Sequence, residues 1–164
     1  MVIDSDEFRQ VMQKWATGVA VVTASHNGVE HGMTVSSLTS VSAEPSSVSV
    51  SLNKSSHAHG LVINSSNFGV TILSDGQKKI SDHFAGRTVG PEDRLSYLET
   101  ESQVCKPSFI KGGLANLVCK VIQTVPTGMK TVFIAEVIVV QVKDKGRPLF
   151  YYDRDNWQLQ EQPL

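Results

Sequence analysis

The cleanest periodicity in the chain follows Glu44-Pro45, where Ser47, Ser49 and Ser51 alternate with Val48, Val50 and Leu52. A period of two puts hydroxyls on one face and aliphatics on the other, which predicts a half-buried β-strand. The N-terminus follows a different rhythm. Asp4 stands three residues before Glu7 in a capping-box-like arrangement, and Phe8, Val11, Met12 and Trp15 recur at helical spacing, so a short amphipathic helix is expected up to Gly18. The run Val19–Ala24 predicts a strand buried on both faces. Asn27-Gly28 then marks a tight hairpin turn into a serine- and threonine-rich partner strand from about Gly32 to Val41.

Downstream, Ser56 caps a predicted helix to about Ile63, and Phe68–Leu73 reads as a strand. The turn Ser74-Asp75-Gly76 leads into a second short helix, Gln77–Ala85, ended by Gly86. From Arg87 to Gly113 periodic apolar positions are few, and Gly90-Pro91, Lys106-Pro107 and Gly112-Gly113 punctuate a long excursion. Two long strands follow, Leu114–Val125 and Thr131–Val142, joined through Pro126-Thr127-Gly128, and Pro148–Tyr152 is the last strand. Many strands, few short helices and no βα alternation predict a mainly β fold, an antiparallel barrel rather than a doubly wound sheet. No GxGxxG follows a strand, which argues against a Rossmann-type dinucleotide site.

Composition narrows the function classes. A chain of 164 residues suits one domain spanning 1–164. With 40% hydrophobic and 19% charged residues and a net charge of -1, it resembles neither a disordered chain nor a broadly basic nucleic-acid binder. Neither a signal-peptide pattern nor an apolar run of membrane-spanning length is present, so a cytoplasmic protein without a membrane partner is expected. Cys105 and Cys119 are too far apart for a CxxC motif and read as reduced, structural thiols.

The stretch SLNKSSHAHG, residues 51–60, concentrates polar chemistry. A metal reading uses His57 and His59, but residues two apart do not share a helical face, and no third ligand is near in sequence. An anion reading uses Asn53, Lys54, Ser55 and Ser56 ahead of a helix whose first amides lack internal partners. A plain capped turn remains the third reading, and spacing alone does not choose between the last two. The serine-rich strand Met33–Ser40 is a second anomaly, since serine is an indifferent strand former. It suits either a polar cavity wall or an exposed face. There is no GxSxG or HExxH motif, and the histidines show no triad-like context, so classical hydrolysis is disfavoured.

Four segments together, Trp15–Thr23, Gly32–Ser42, Val50–Ser56 and Phe68–Leu73, resemble the flavin reductase-like family of split-barrel FMN-binding proteins. The likeness continues through Gln77, Ser81, Phe84-Ala85-Gly86 and Arg87 to Pro148–Tyr152. It implies a Greek-key split β-barrel with a few short helices, assembled as a homodimer. It also implies an NAD(P)H:flavin oxidoreductase that passes hydride from NADH or NADPH to FMN or FAD and supplies reduced flavin to a partner oxygenase. By position, Thr34, Val35, Ser36 and Ser37 would lie along the isoalloxazine and ribityl chain. Asn53, Lys54, Ser55 and Ser56 would surround the flavin phosphate, and Phe84, Ala85 and Arg87 would flank the cofactor. Lys130 and Tyr152 are the corresponding candidates for the nicotinamide substrate. No catalytic acid or base and no metal ligand is implied.

One departure bears on activity. The family's Gly-Asp-His at the hairpin before its penultimate long strand is Gly128-Met129-Lys130 here. Hydride transfer depends mainly on close stacking, so positioning is the protein's chief contribution. The departure leaves a second expectation open, a non-enzymatic FMN-binding electron carrier on the same fold.

Overall fold

A computed structural model describes residues 3–88, 95, 100–101, 107–143 and 145–158. Its helices are α1 (Ser5–Met12), α2 (His57–Ser65) and α3 (Lys78–Phe84), the last entered through a single 3-10 turn, Asp75–Gln77. The strands are β1 (Thr17–Gly18), β2 (Ala20–His26), β3 (Val29–Val35), β4 (Thr39–Ala43), β5 (Ser46–Asn53) and β6 (Asn67–Ile72). After them come β7 (Thr100–Glu101), β8 (Phe109–Ile110), β9 (Ala115–Thr127), β10 (Lys130–Val142), β11 (Leu149–Tyr152) and β12 (Asp155–Gln158).

The main sheet has seven strands in the order β3-β2-β6-β9-β10-β5-β4. Its two edges, β3 and β4, are consecutive in the chain and joined only by Ser36, Ser37 and Leu38. Laid flat at about 4.8 Å per strand, the edges of such a sheet would stand roughly 29 Å apart. The link from Val35 to Thr39 reaches at most about 14 Å. The sheet must therefore curl into a barrel, which remains split where β3 and β4 part.

This corrects the expectation of one continuous strand from Gly32 to Val41. β3 pairs with β2, β4 pairs with β5, and neither ladder includes Ser36, Ser37 or Leu38. No glycine or proline marks the break, because its cause is the crossing from one sheet edge to the other. A smaller difference lies at the β9–β10 hairpin. Pro126 pairs with Thr131 in the ladder, and the turn falls at Gly128-Met129. β6 pairs with β9 only from Ala115 to Lys120, so Pro126 lies on an edge stretch where its missing N–H is tolerated.

The apolar run of β2 serves two cores. Ala20, Val22 and Ala24 face the barrel interior with Val50, Leu52, Phe68 and Phe133, and α2 plugs that interior with Val62. Val19 and Val21 face a second core with Leu73, Phe84, Ile110 and Leu149. Three backbone hydrogen bonds tie this region together, from Val19 N to Leu149 O, Leu73 N to Val19 O and Leu149 N to Leu73 O, at 3.0–3.1 Å. They fasten the small sheet β1-β11-β12 to the barrel.

Two apolar surfaces stay uncovered in the single chain. α1 buries none of its residues, and Phe8, Val11 and Trp15 are 59%, 67% and 68% exposed. β9 exposes Ile122 at mid-strand, and the C-terminal part of β10 exposes Ile138, Val140 and Val142. No helix among the described residues is long and apolar enough to cross a membrane. Cys119 is buried and free, and burial pushes its thiol up to about 12. Cys105 lies outside the described residues.

Candidate functional site

Where the barrel meets the small sheet, a cavity of about 170 Å³ opens between the end of β3 and the end of α3. Thr34, Val35, Ser36, Ala85, Arg87 and Tyr151 are among its walls. A groove of about 1110 Å³ shares Ser36, Arg87 and Tyr151 with it and runs past Ser37 toward Trp15 on the N-terminal segment.

Each wall is held by local chemistry. Thr34 Oγ1 donates to the Ser81 carbonyl at 2.8 Å, fastening β3 to α3. Gly86 takes a positive φ of 74°, the left-handed turn that commonly ends a helix and that a side chain would disfavour. The chain then doubles back, and Arg87 N–H donates to the Asp82 carbonyl at 3.0 Å. The Arg87 guanidinium reaches Asp82 Oδ1 at 3.1 Å and lies 5.8 Å from the centre of the Tyr151 ring.

The Asn53–Ser56 segment forms a compact turn. Asn53 Oδ1 accepts from both the N–H and the Oγ of Ser55, each at 3.1 Å. Ser56 Oγ accepts from the His59 N–H at 3.2 Å, the capping bond expected from sequence, and donates to the Asn53 carbonyl at 2.8 Å. Lys54 Nζ donates to the Gly128 carbonyl at 2.7 Å, and its N–H donates to Met129 O at 2.9 Å. Lys130 sits opposite Asn53 in the β5–β10 ladder. Two candidate groups distant in sequence, the anion turn and the departed hairpin, are thus neighbours.

The two halves of the predicted site are linked through Ser37. Its Oγ accepts from Ser51 N–H at 3.0 Å and donates to Ser51 O at 3.2 Å. Ser37 stands one residue from the cavity wall Ser36, and Ser51 stands two residues before Asn53, at the end of β5.

Two predicted side chains lie elsewhere. Phe84 is 1% exposed and belongs to the second core, packed under Gly32 so closely that a Cβ there would stand 2.6 Å from Phe84 Cε1. It supports β3 from beneath instead of lining the cavity. Tyr152 sits edge-on to Trp157 at 6.2 Å, and the cavity is walled by its neighbour Tyr151. Alternation along β11 sends adjacent tyrosines to opposite faces, a signal present in the sequence. Ser81 and Asn156 also line the cavity and were not foreseen. Asn156 belongs to β12, a strand with no clear sequence pattern.

The histidines at the start of α2 diverge. His57 meets His31 ring to ring at 5.4 Å, whereas His59 bonds Thr131 Oγ1 at 2.9 Å and packs on Phe133. Burial, and secondarily the Lys54 charge, hold His59 below its ordinary value of 6.5. Among the described residues no three His, Cys, Asp or Glu side chains are grouped to hold a metal.

The cavity walls fit a flavin. Val19, Val35 and Ala85 offer apolar contact to a planar ring, Ser36 and Asn156 offer polar edges, and Arg87 supplies a cation between cavity and groove.

Comparison with known proteins identifies the family. Residues 12–159 match the family described as flavin reductase like domain. The reductase component of an FADH(2)-dependent resorcinol hydroxylase from a Rhizobium species is 36% identical over 146 residues, 88% of this chain and 81% of that protein. The NADH-dependent flavin reductase StyB of Pseudomonas fluorescens is 38% identical over 156 residues, covering 93% of this chain and 89% of that one. The solved structure of the flavin reductase PheA2 in its native state superposes with a TM-score of 0.88 at 34% identity, over 97% of this chain and 100% of that one. On this match, spanning nearly the whole sequence and the split barrel alike, the chain belongs to the flavin reductase-like family.

Proposed function

We propose that the protein is an NAD(P)H:flavin oxidoreductase that supplies reduced flavin to a partner oxygenase. The observation that carries this reading is the Thr34–Ser36, Ala85 and Arg87 cavity, supported by the Ser37–Ser51 hydrogen bonds that tie the adjoining link to the strand leading into the Asn53–Ser56 turn. A bound flavin, FMN or FAD, supplies the electron-accepting ring, with its N5 able to take hydride from C4 of NADH or NADPH. The chain's own work is positioning. β3 and the Ser36–Leu38 link flank the ring, Arg87 guards the mouth, and Asn53, Lys54, Ser55 and Ser56 receive the phosphate at the start of α2. Lys130, beside Asn53, places a second cation at that end, suited to a substrate phosphate.

The protein acts as a homodimer in the cytoplasm. Support for the dimer comes from the exposed apolar residues of α1 and of the β9–β10 pair, which a second copy would cover. Size-exclusion chromatography with light scattering should return twice the chain mass, and a monomer at micromolar concentration would refute the dimer.

Anaerobic addition of NADH or NADPH to flavin-loaded protein tests the activity. The visible flavin band should bleach on mixing. If dithionite bleaches it and neither nicotinamide does, the protein is an electron carrier and the reductase reading is wrong.

A further inference from the structure

Arg87 borders both the cavity and the groove, yet its side chain is 43% exposed. An arginine on a turn after a helix loses rotamer freedom when it is held at one place, so something must hold it. Asp82, one turn earlier on α3, meets that need. Its side chain is 20% exposed, and Oδ1 accepts from Arg87 Nη1 at 3.1 Å. The same oxygen accepts from Asn156 Nδ2 at 3.4 Å, and Oδ2 accepts from Lys78 Nζ at 2.9 Å. Lys78 also reaches Asp155 at 3.2 Å. One carboxylate thus gathers a cavity-lining cation, a cavity-lining amide and a tie to β12.

We infer that Asp82 is a positioning residue for flavin binding, fixing the Arg87 guanidinium beside Tyr151 at the cavity mouth. The inference rests on the flavin reading of that cavity. Asp82 itself lines neither the cavity nor the groove, so it acts through Arg87. Freed from Asp82, Arg87 has its backbone bond and the Tyr151 face to orient it, and the exposed guanidinium moves into water.

The test is a double-mutant cycle on the full-length protein, with flavin Kd read from quenching of flavin fluorescence. Asp82→Ala and Arg87→Ala should each weaken flavin binding by roughly 5- to 30-fold, within the range of coupled neighbouring residues. The double variant should bind no more weakly than Arg87→Ala alone. Asp82→Glu should recover most of the affinity. If Asp82→Ala does not fold, Asp82→Asn, which keeps the shape and loses the charge, enters the same cycle.

Effects of Asp82 and Arg87 that multiply independently, or a Kd within twofold of wild type for Asp82→Ala, would overturn the inference while leaving the flavin reading intact. Failure of the wild-type protein to bind any flavin would overturn the flavin reading and this inference with it.

Discussion

Ser37 and Ser51 are joined by a reciprocal pair of hydrogen bonds in which one hydroxyl serves both the N–H and the C=O of the facing residue. Ser37 stands where the β4–β5 ladder would continue beyond Thr39 and Ser49. A side chain replaces the backbone there, closing the barrel while leaving the chain free to turn. Ser37→Ala should lower stability by about 1–3 kcal/mol, because two partly buried backbone groups lose their partner. Urea unfolding would measure it, and an unchanged midpoint would show that water serves Ser51 equally well.

The anion turn separates into a structural and a ligand-facing hydroxyl. Ser56 caps α2, so Ser56→Ala should cost about 1 kcal/mol as well as flavin affinity. Among the described residues Ser55 bonds only Asn53, and Ser55→Ala should weaken flavin retention with little loss of stability. Equal flavin affinity in the Ser55, Ser56 double variant, measured by fluorescence titration, would remove the phosphate from this turn.

Adjacent tyrosines give a sharp contrast. Tyr151→Ala removes a cavity wall and the ring beneath Arg87, so KM for flavin should rise about tenfold or more. Tyr152→Ala removes the ring contact with Trp157, away from the cavity, and should leave KM within about twofold. Steady-state kinetics on both variants decides it, and the reverse ranking would favour Tyr152 as the substrate contact.

Gly32 is required by close approach. Gly32→Ala would drive a methyl against buried Phe84, an overpacking that typically costs 1–3 kcal/mol. Pairing it with Phe84→Leu should recover part of the loss in denaturant unfolding. No recovery would mean that the strain falls on the β3 backbone.

His59 makes stability depend on pH. Its folded form takes up a proton less readily than the unfolded chain, which does so near 6.5. Above that pH both states are neutral and the group contributes no slope. As pH falls below 6.5 the unfolded chain binds the proton first, so stability declines until the folded pKa is passed and then levels. His59→Gln should flatten this part of the profile in thermal melts taken from pH 7.5 to 5. An unchanged profile would assign the decline to other groups.

Periodicity and capping made most elements legible before any coordinates. The alternation of Ser47–Leu52, the Ser56 cap and the doubly buried β2 all depend on neighbours within a few residues, where strand and helix geometry are set locally. The resemblance in turn carried the flavin expectation, resting on segments that keep their order along the chain. What the sequence could not determine were facts of long-range pairing. The break at Ser36–Leu38 exists because the two edges of one sheet must meet, and no local residue signals it. The placing of Lys130 beside Asn53, of Asn156 beside Asp82, and of Tyr151 rather than Tyr152 at the cavity follows from strand register and from the packing of α3 against β12. Which residues reach one site is decided by tertiary pairing, because only the curl of the barrel and the β1–β11 ladder bring segments from distant parts of the chain within a hydrogen bond of each other.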